Sequence, residues 1–198
     1  MTSLIKNLGG IVGFGEFSLD RNDDSSAQGI SLSSVFGDAG LNFFGTNYSY
    51  VAINNNGNIT LSNSSTGGLT AYTPFGLANG GYAIIAPFFA DVDTRLVDGT
   101  AASNQVTPTA GGTSTGSDLV WYDLDPTGYG TLTVTWDDVG YFDWNTDKLN
   151  AFQLQIVGRG GGNFDIVFRY ENINWTTGDF SSGYGGLGGT VAPPLEPR

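Results

Sequence analysis

Asp91 and Asp93 are the residues of this chain whose spacing best suits metal binding. They follow a continuous apolar run with the length of a buried strand, so we expect them at a strand end, where loops can bring further carboxylates to the same point. Because Ca²⁺ takes about six to eight oxygen ligands, the pair would need completion by Asp143, Asp147 or backbone carbonyls. The alternative is structural: one of the two aspartates pairs with Arg95 or caps a turn.

A second group of polar residues surrounds a short aromatic stretch further along the chain. Carboxylates and amides hydrogen-bond sugar hydroxyls, and an indole face stacks on a pyranose ring. Asp137, Asp138, Trp144 and Asn145 are therefore candidates for binding a carbohydrate or another partner. The alternative is a solvated loop in which Trp144 is a packing anchor.

The residues that most enzymes depend on are scarce. The 198 residues include no cysteine and no histidine, which excludes thiol nucleophiles, imidazole bases, disulfides and the usual zinc ligands. The three glutamates, Glu16, Glu171 and Glu196, show no pattern that indicates the two carboxylates of a glycosidase. The sequence predicts a protein that is not an enzyme, with a carbohydrate-acting enzyme as the weaker alternative.

The net charge limits the classes of partner that the chain can bind. A net charge of −12 repels nucleic acid and anionic membranes and attracts hard cations, so calcium is the one cofactor that the composition favours. No apolar run approaches the ~20 residues of a membrane span, and we expect no membrane insertion. A low-lysine composition rich in Asp, Asn, Gly and Thr is common in bacterial surface proteins, which predicts a secreted, extracellular or cell-surface location.

The pattern of strands fixes the fold class. Residues 149–157 and 163–175 alternate polar and apolar residues on either side of a glycine-rich stretch, which predicts a long antiparallel hairpin with one buried face. Asn56-Gly57 marks another hairpin. Helix formers are few, so we expect an all-β fold, an antiparallel β-sandwich of about 8–10 strands with long loops and essentially no helix. A closed barrel is the alternative.

The apolar phase of each strand also predicts the core. Its expected members are Phe43, Tyr50, Ile84, Phe152, Leu154, Ile156, Phe164, Ile166 and Phe168. We expect residues 1–29 to form an N-terminal strand around 11–19 and a charged loop, residues 30–189 to form the sandwich, and residues 190–198 to be a Pro-rich tail or linker. The Thr-, Ser- and Gly-rich stretch 98–116 is predicted to be a flexible excursion.

Five separated blocks of sequence carry a family resemblance. They are Phe43-Phe44-Gly45 with Tyr50, Asn55-Asn56-Gly57-Asn58, Pro87 to Arg95, Val134 to Phe142, and Leu149 to Trp175 with Thr177-Gly178-Asp179. Their order resembles the nidogen-like extracellular domain from about Phe43 to Gly189. This family occurs in nidogens, tectorins, membrane mucins and bacterial surface proteins. The resemblance implies a generally non-enzymatic domain concerned with adhesion or matrix assembly, and it supplies no ligand set.

The sequence and the resemblance together predict an extracellular interaction or adhesion module of a cell-surface or matrix assembly. Its expected partner is a protein or glycan of the matrix or cell surface, or a second copy of the chain. The family continues beyond its glycine-rich block into another strand, whereas this chain turns to Pro193-Pro194. A missing final strand would favour the alternative function, a self-associating structural subunit of a sheath or filament.

Overall fold

Antiparallel strands make up almost all of the regular structure in residues 2–68, 72, 81–95 and 106–176, the part of the chain that the computed structural model describes. In chain order the elements are β1 (Phe17–Ser18), β2 (Ser26–Ser31), α1 (Ser33–Phe36), β3 (Leu41–Phe43), β4 (Thr46–Tyr48), β5 (Tyr50–Asn54), β6 (Asn58–Ser62), β7 (Ala83–Ile85), β8 (Val92–Asp93), β9 (Leu119–Asp125), β10 (Thr131–Tyr141), β11 (Asn145–Gly160) and β12 (Asn163–Ile173). The twelve strands outnumber the predicted eight to ten because several have only two or three residues.

The strands form two main sheets and a separate hairpin. The larger sheet has the order β1-β9-β10-β11-β12, with β8 paired to the end of β10. The smaller sheet has the order β2-β5-β6-β7, and β3 pairs with β4 alone. Every pairing is antiparallel, and the register of β11 on β12 brings Leu154 opposite Phe168 and Ile156 opposite Ile166. The predicted long hairpin is confirmed.

The main core lies between the two sheets. Val51, Ile53 and Ile59 of the smaller sheet belong to the same buried cluster as Trp136 and Phe152 of the larger one. The rings of Trp136 and Phe152 stack with their centroids 4.9 Å apart. Because apolar residues of both sheets share one core, the arrangement is the predicted β-sandwich.

The outer face of the larger sheet is also covered, which the sequence pattern did not indicate. Residues 2–14 run over it and enclose a second apolar cluster of Leu4, Phe14, Trp121 and Ala151. Gln153 lies on the polar phase of β11, yet it is fully buried, and its side chain exchanges two hydrogen bonds of 3.0 Å with the backbone of Ile5. The strand predicted around 11–19 is limited to Phe17–Ser18, because the glycine-rich stretch before it forms turns.

The core prediction holds for β11 and was wrong for part of β12. Phe152, Leu154 and Ile156 are fully buried, whereas Ile166 and Phe168 are each 41% exposed. The remaining predicted members, Phe43, Tyr50, Ile84 and Phe164, are partly buried. Ile166 and Phe168 lie on the predicted face, but the smaller sheet does not cover β12.

The other expectations about organisation have mixed outcomes. The stretch 106–116 was predicted to be flexible, and this was wrong: it is held by hydrogen bonds to Asp137, Asp138 and Glu171. Residues 98–105 of the same stretch, the tail 190–198 and the block Thr177-Gly178-Asp179 lie outside the described residues.

Candidate functional site

Three carboxylates from two distant segments meet beside the β5–β6 turn. Asp23 and Asp24 lie in the loop before β2, and Asp91 directly precedes β8. One carboxylate oxygen from each lies within 4.8 Å of the others. Among the described residues, this Asp23/Asp24/Asp91 cluster is the one place where three such groups come together.

The buried β5–β6 turn holds both segments. Asn55 Nδ2 donates hydrogen bonds to the backbone oxygens of Asn22, Asp23 and Val92. Asn56 Nδ2 donates to Asp24 Oδ1 at 2.6 Å, and Asn56 Oδ1 accepts from the Val92 N–H at 2.9 Å. The two asparagines therefore fix the backbone positions from which the carboxylates extend.

Gly57 explains why this turn can be buried. Its φ is +71°, and a Cβ there would lie 1.7 Å from the carbonyl oxygen of Phe88. Only glycine fits a backbone approach this close. The predicted Asn-Gly hairpin is confirmed. Its turn is buried and not exposed at the surface, and it supports the carboxylate cluster.

Arg95 compensates the negative charge of the cluster only in part. Asp91 is only 5% exposed. Burial, reinforced by the charges of Asp23, Asp24 and Asp93, raises the pKa of Asp91 to about 7, against the opposing effect of Arg95. Burial and the charge of Asp93 likewise raise the pKa of Asp23 to about 6. Both shifts mean that the ionised carboxylates repel one another and lack solvent.

Asp93, in contrast, is fully engaged by its neighbours. Arg95 donates from Nε to Asp93 Oδ1 at 2.9 Å and from a terminal guanidinium nitrogen to Oδ2 at 2.7 Å, and the Trp144 N–H donates to Oδ2 at 3.0 Å. The same guanidinium lies 3.0 Å from Asp23 Oδ2 and 4.7 Å from the centre of the Trp144 ring. Asp93 thus fits the structural alternative to metal binding, an ion pair with Arg95.

The four residues predicted as metal ligands do not form one group. Asp91 joins the carboxylate cluster and Asp93 pairs with Arg95. Asp143 is half-exposed, with an oxygen 3.9 Å from Arg95, and Asp147 accepts a hydrogen bond of 2.6 Å from the Tyr141 hydroxyl. Metal binding by this set of four stays a prediction.

The residues predicted to bind a carbohydrate or partner differ in their access to solvent. Asp137 and Asp138 are fully buried. Asp137 accepts hydrogen bonds from Thr115 and Ser117, and Asp138 accepts them from Thr109 and Gly116. Trp144 is 41% exposed, and Asn145 is partly buried. Sugar binding by these residues stays a prediction, with Trp144 as the most exposed member of the set.

A second candidate site lies along the open edge of the sandwich. Ile166, Phe168 and Tyr170 of β12 point to the core side but are 38–41% exposed. Phe164 of the same strand lies 6.3 Å from Phe43, ring centre to ring centre, and Phe43 contacts the highly exposed Phe44.

A shallow depression continues this apolar surface toward β7. Phe44 lines the depression together with Tyr82, which is itself exposed. The Tyr170 hydroxyl donates to the carbonyl oxygen of Pro87 at 2.7 Å, which ties β12 to the segment that follows β7. We call Phe44, Tyr82, Ile166, Phe168 and Tyr170 the apolar edge.

Sequence reasoning missed Asp23, Asp24, Asn55 and Asn56 as parts of a site. Asp23 and Asp24 were identified only as part of a charged loop, and the two asparagines only as a hairpin signal. The available signal was the shared chemistry: a pair of aspartates, a pair of asparagines and Asp91, all oxygen-bearing residues in or beside short loops. Nothing local shows that these loops pack together.

The fold and the two sites define an acidic, cysteine-free β-sandwich with an exposed aromatic edge. The family model of the nidogen-like domain matches residues 49–193, and the chain belongs to this family. Relatives include alpha-tectorin of Mus musculus, 34% identical over 179 residues, and of Gallus gallus, 33% identical over 178 residues; each alignment covers 86% of this chain. Nidogen of Drosophila melanogaster is 31% identical over 145 residues, or 70% of the chain. No solved structure gives a significant match.

These relatives are far longer than this chain, whose alignment spans 8% of alpha-tectorin and 10% of nidogen. Tectorin and nidogen are extracellular matrix proteins, and the nidogen-like domain is extracellular. The chain is therefore an extracellular, matrix-associated domain. Within the described residues, no helix is long and apolar enough to cross a membrane.

Proposed function

We propose that this domain is a non-enzymatic adhesion module that binds an extended segment of another matrix protein along its apolar edge. The observation that carries the proposal is the exposure of Ile166, Phe168 and Tyr170 on the core-facing side of an edge strand. Contiguous exposed apolar surface marks interaction sites, and aromatic residues are enriched in them.

The backbone of β12 supports the same mode of binding. Within the described part of the chain, β12 pairs only with β11, and its other side receives one backbone hydrogen bond, from Thr2 N–H to Tyr170 O. Residues 163–169 thus present backbone groups to an incoming strand. A strand added there would gain backbone hydrogen bonds, and its apolar side chains would cover Ile166 and Phe168.

The hydrogen bonding of two buried acids supports a non-enzymatic role. Glu171 accepts hydrogen bonds from the N–H groups of Leu4, Thr113 and Ser114 and from the Thr113 hydroxyl. Asp137 is similarly saturated by Thr115 and Ser117. Carboxylates held in this way by backbone and hydroxyl donors have structural roles, and neither is positioned to transfer a proton to a substrate.

The test is binding of matrix proteins to the immobilised chain. Matrix extract from the source organism is passed over wild type, the double variant Ile166→Thr/Phe168→Thr, and the control Ile11→Thr, which makes the same kind of change at a residue that is 94% exposed elsewhere. We expect wild type and control to retain the same matrix proteins and the double variant to lose them. Equal retention by all three would exclude the apolar edge as the binding surface.

A structural subunit that self-associates would use the same edge, because a free edge strand pairs equally well with a second copy. Sedimentation of the purified chain at micromolar concentration distinguishes the two functions. Large assemblies that wild type forms and the double variant does not form would favour the self-associating structural subunit. A monomeric wild type would favour binding of another protein.

A further inference from the structure

We propose that Asp23, Asp24 and Asp91, together with Oδ1 of Asn55, form a binding site for a hard divalent cation of the size of Ca²⁺. The site uses no residue of the apolar edge, so it stands or falls separately from the proposed adhesive function.

The spacing of the oxygens suits calcium. One oxygen from each of the three carboxylates lies within 4.8 Å of the others. Ca²⁺ binds oxygen at about 2.3–2.6 Å, so two of its ligands lie at most about 4.6–5.2 Å apart. The three oxygens thus fit within the span of one Ca²⁺ coordination sphere. Mg²⁺ demands near-ideal octahedral geometry, which makes it the less suitable ion for ligands carried on loops.

Unpartnered oxygens at the same place are an independent indication of a ligand. The carboxylate of Asp91, although 95% of the residue is buried, has no hydrogen-bond donor or ion-pair partner among the described residues. Asn55 is fully buried, and its Oδ1 accepts no hydrogen bond; Oδ1 of Asp23 is also buried and without a donor. Buried polar atoms are nearly always paired, so these two buried oxygens, together with the unpartnered carboxylate of Asp91, indicate that a cation or ordered water completes them.

Asn55 connects the two segments that carry the carboxylates. Its Nδ2 is hydrogen-bonded to the backbone oxygens of Asn22, Asp23 and Val92. The carboxamide is thereby enclosed between the two segments that carry the ligands, with Asp23 on one side and the neighbour of Asp91 on the other. The oxygen of this carboxamide is a neutral ligand of the kind that Ca²⁺ sites combine with carboxylates.

The surrounding charges favour a cation. Arg95 is the basic group beside the cluster, and it is shared between Asp93 and Oδ2 of Asp23. Asp24 receives hydrogen bonds from the side chain of Asn56 and the N–H of Tyr72, neither of which carries charge. Neither Asp24 nor Asp91 pairs with a described basic residue, and Oδ1 of Asp23 has no hydrogen-bond donor.

Terbium luminescence tests occupancy directly, because Tb³⁺ replaces Ca²⁺ at oxygen sites and is excited by a nearby indole. Trp136 is well placed, since its Nε1 donates to the Asn55 carbonyl oxygen at 2.8 Å. After removal of metal with EDTA, we expect wild type to give sensitised Tb³⁺ emission that Ca²⁺ abolishes at concentrations at least tenfold below those of Mg²⁺. Asp91→Asn and Asp24→Asn should each weaken Tb³⁺ binding at least tenfold, while Asp38→Asn, at an exposed aspartate, should not.

Thermal unfolding supplies a second readout that does not depend on luminescence. Millimolar CaCl₂ should raise the Tm of wild type by several degrees more than NaCl at equal ionic strength. Asp91→Asn should have a higher Tm than wild type in EDTA, because it removes repulsion, and should lose the Ca²⁺ response. A calcium shift equal to that of NaCl, or one that persists in both Asp91→Asn and Asp24→Asn, would overturn the proposal, as would loss of the shift in Asp147→Asn alone.

Discussion

Replacing Glu171 by glutamine should destabilise the domain by roughly 4 kcal/mol. Glu171 is buried, and its two oxygens accept four hydrogen bonds, with donor distances of 3.2, 2.7 and 2.6 Å at Oε2 and 2.8 Å at Oε1. The amide of glutamine keeps one acceptor oxygen and points an NH₂ group at the remaining donor. Hydrogen bonds to a charged acceptor contribute about 1.5–3 kcal/mol and neutral ones about 0.5–1.5 kcal/mol. At the low end of these ranges, three bonds that each weaken by about 1 kcal/mol and one lost bond of about 1.5 kcal/mol give roughly this figure.

The pKa of Glu171 predicts how the difference in free energy of unfolding between wild type and Glu171→Gln depends on pH. Burial alone would raise the pKa of Glu171, but hydrogen bonds from Thr113, Ser114 and Leu4 outweigh burial and hold that pKa below its ordinary value of 4.5. A lowered pKa in the folded state contributes stability that is complete above the unfolded value and is lost as the pH falls through the folded value. The difference in free energy of unfolding between wild type and Glu171→Gln should therefore decrease below about pH 4.5.

Urea unfolding followed by tryptophan fluorescence measures this free energy. The exposed Glu16→Gln is the matched control and should change stability by less than about 0.5 kcal/mol. If the free energy of unfolding of Glu171→Gln lies within about 1 kcal/mol of wild type at pH 7, or if the difference does not depend on pH, the hydrogen bonds to Glu171 do not stabilise the domain as we infer.

Two further predictions concern the core and the pH dependence of the whole domain. Phe152→Ala should cost about 3–5 kcal/mol in urea unfolding, because the ring is fully buried against Trp136 and Phe88, and near-wild-type stability would show that the cavity collapses. In EDTA, the free energy of unfolding should fall as the pH rises from 5 to 7.5. Burial raises the pKa of Asp91 and Asp118 to about 7 and that of Asp23 to about 6, from an ordinary 3.8, so the folded state holds protons that the unfolded state has released. A free energy that rises over this range would contradict those shifts.

Sequence reasoning succeeded where a feature depends on residues close together in the chain. The alternation through Phe152, Leu154 and Ile156 predicted the β11–β12 hairpin and its buried face. Asp93 and Arg95 are two residues apart, so their ion pair was already the structural alternative. Local spacing is enough in such cases because it fixes the geometry.

The features that sequence reasoning missed depend on which distant surfaces pack together. Gln153 has the polar phase of a half-buried strand, and its burial depends on residues 2–14 crossing the outer face of the sheet. Ile166 has the apolar phase, and its exposure depends on where the smaller sheet stops. Asp24 and Asp91 are far apart in the chain, and their loops meet only because the folded structure packs both against the buried turn at Asn55.

The attachment of residues 2–14 has a consequence for a domain under tension. Among the described residues, separate hydrogen bonds to Tyr170, Thr113, Glu171 and Gln153, and the two-residue pairing of β1 with β9, hold this segment in place. A force pulling residue 2 away from the sheet loads these bonds one after another, whereas β10 and β11 share long ladders that must break together. Residues 2–14 should therefore detach from the sheet before β10 and β11 separate, which would expose Trp121 and Ala151. Stretching would then expose apolar surface that the relaxed domain conceals, while the sandwich stays folded.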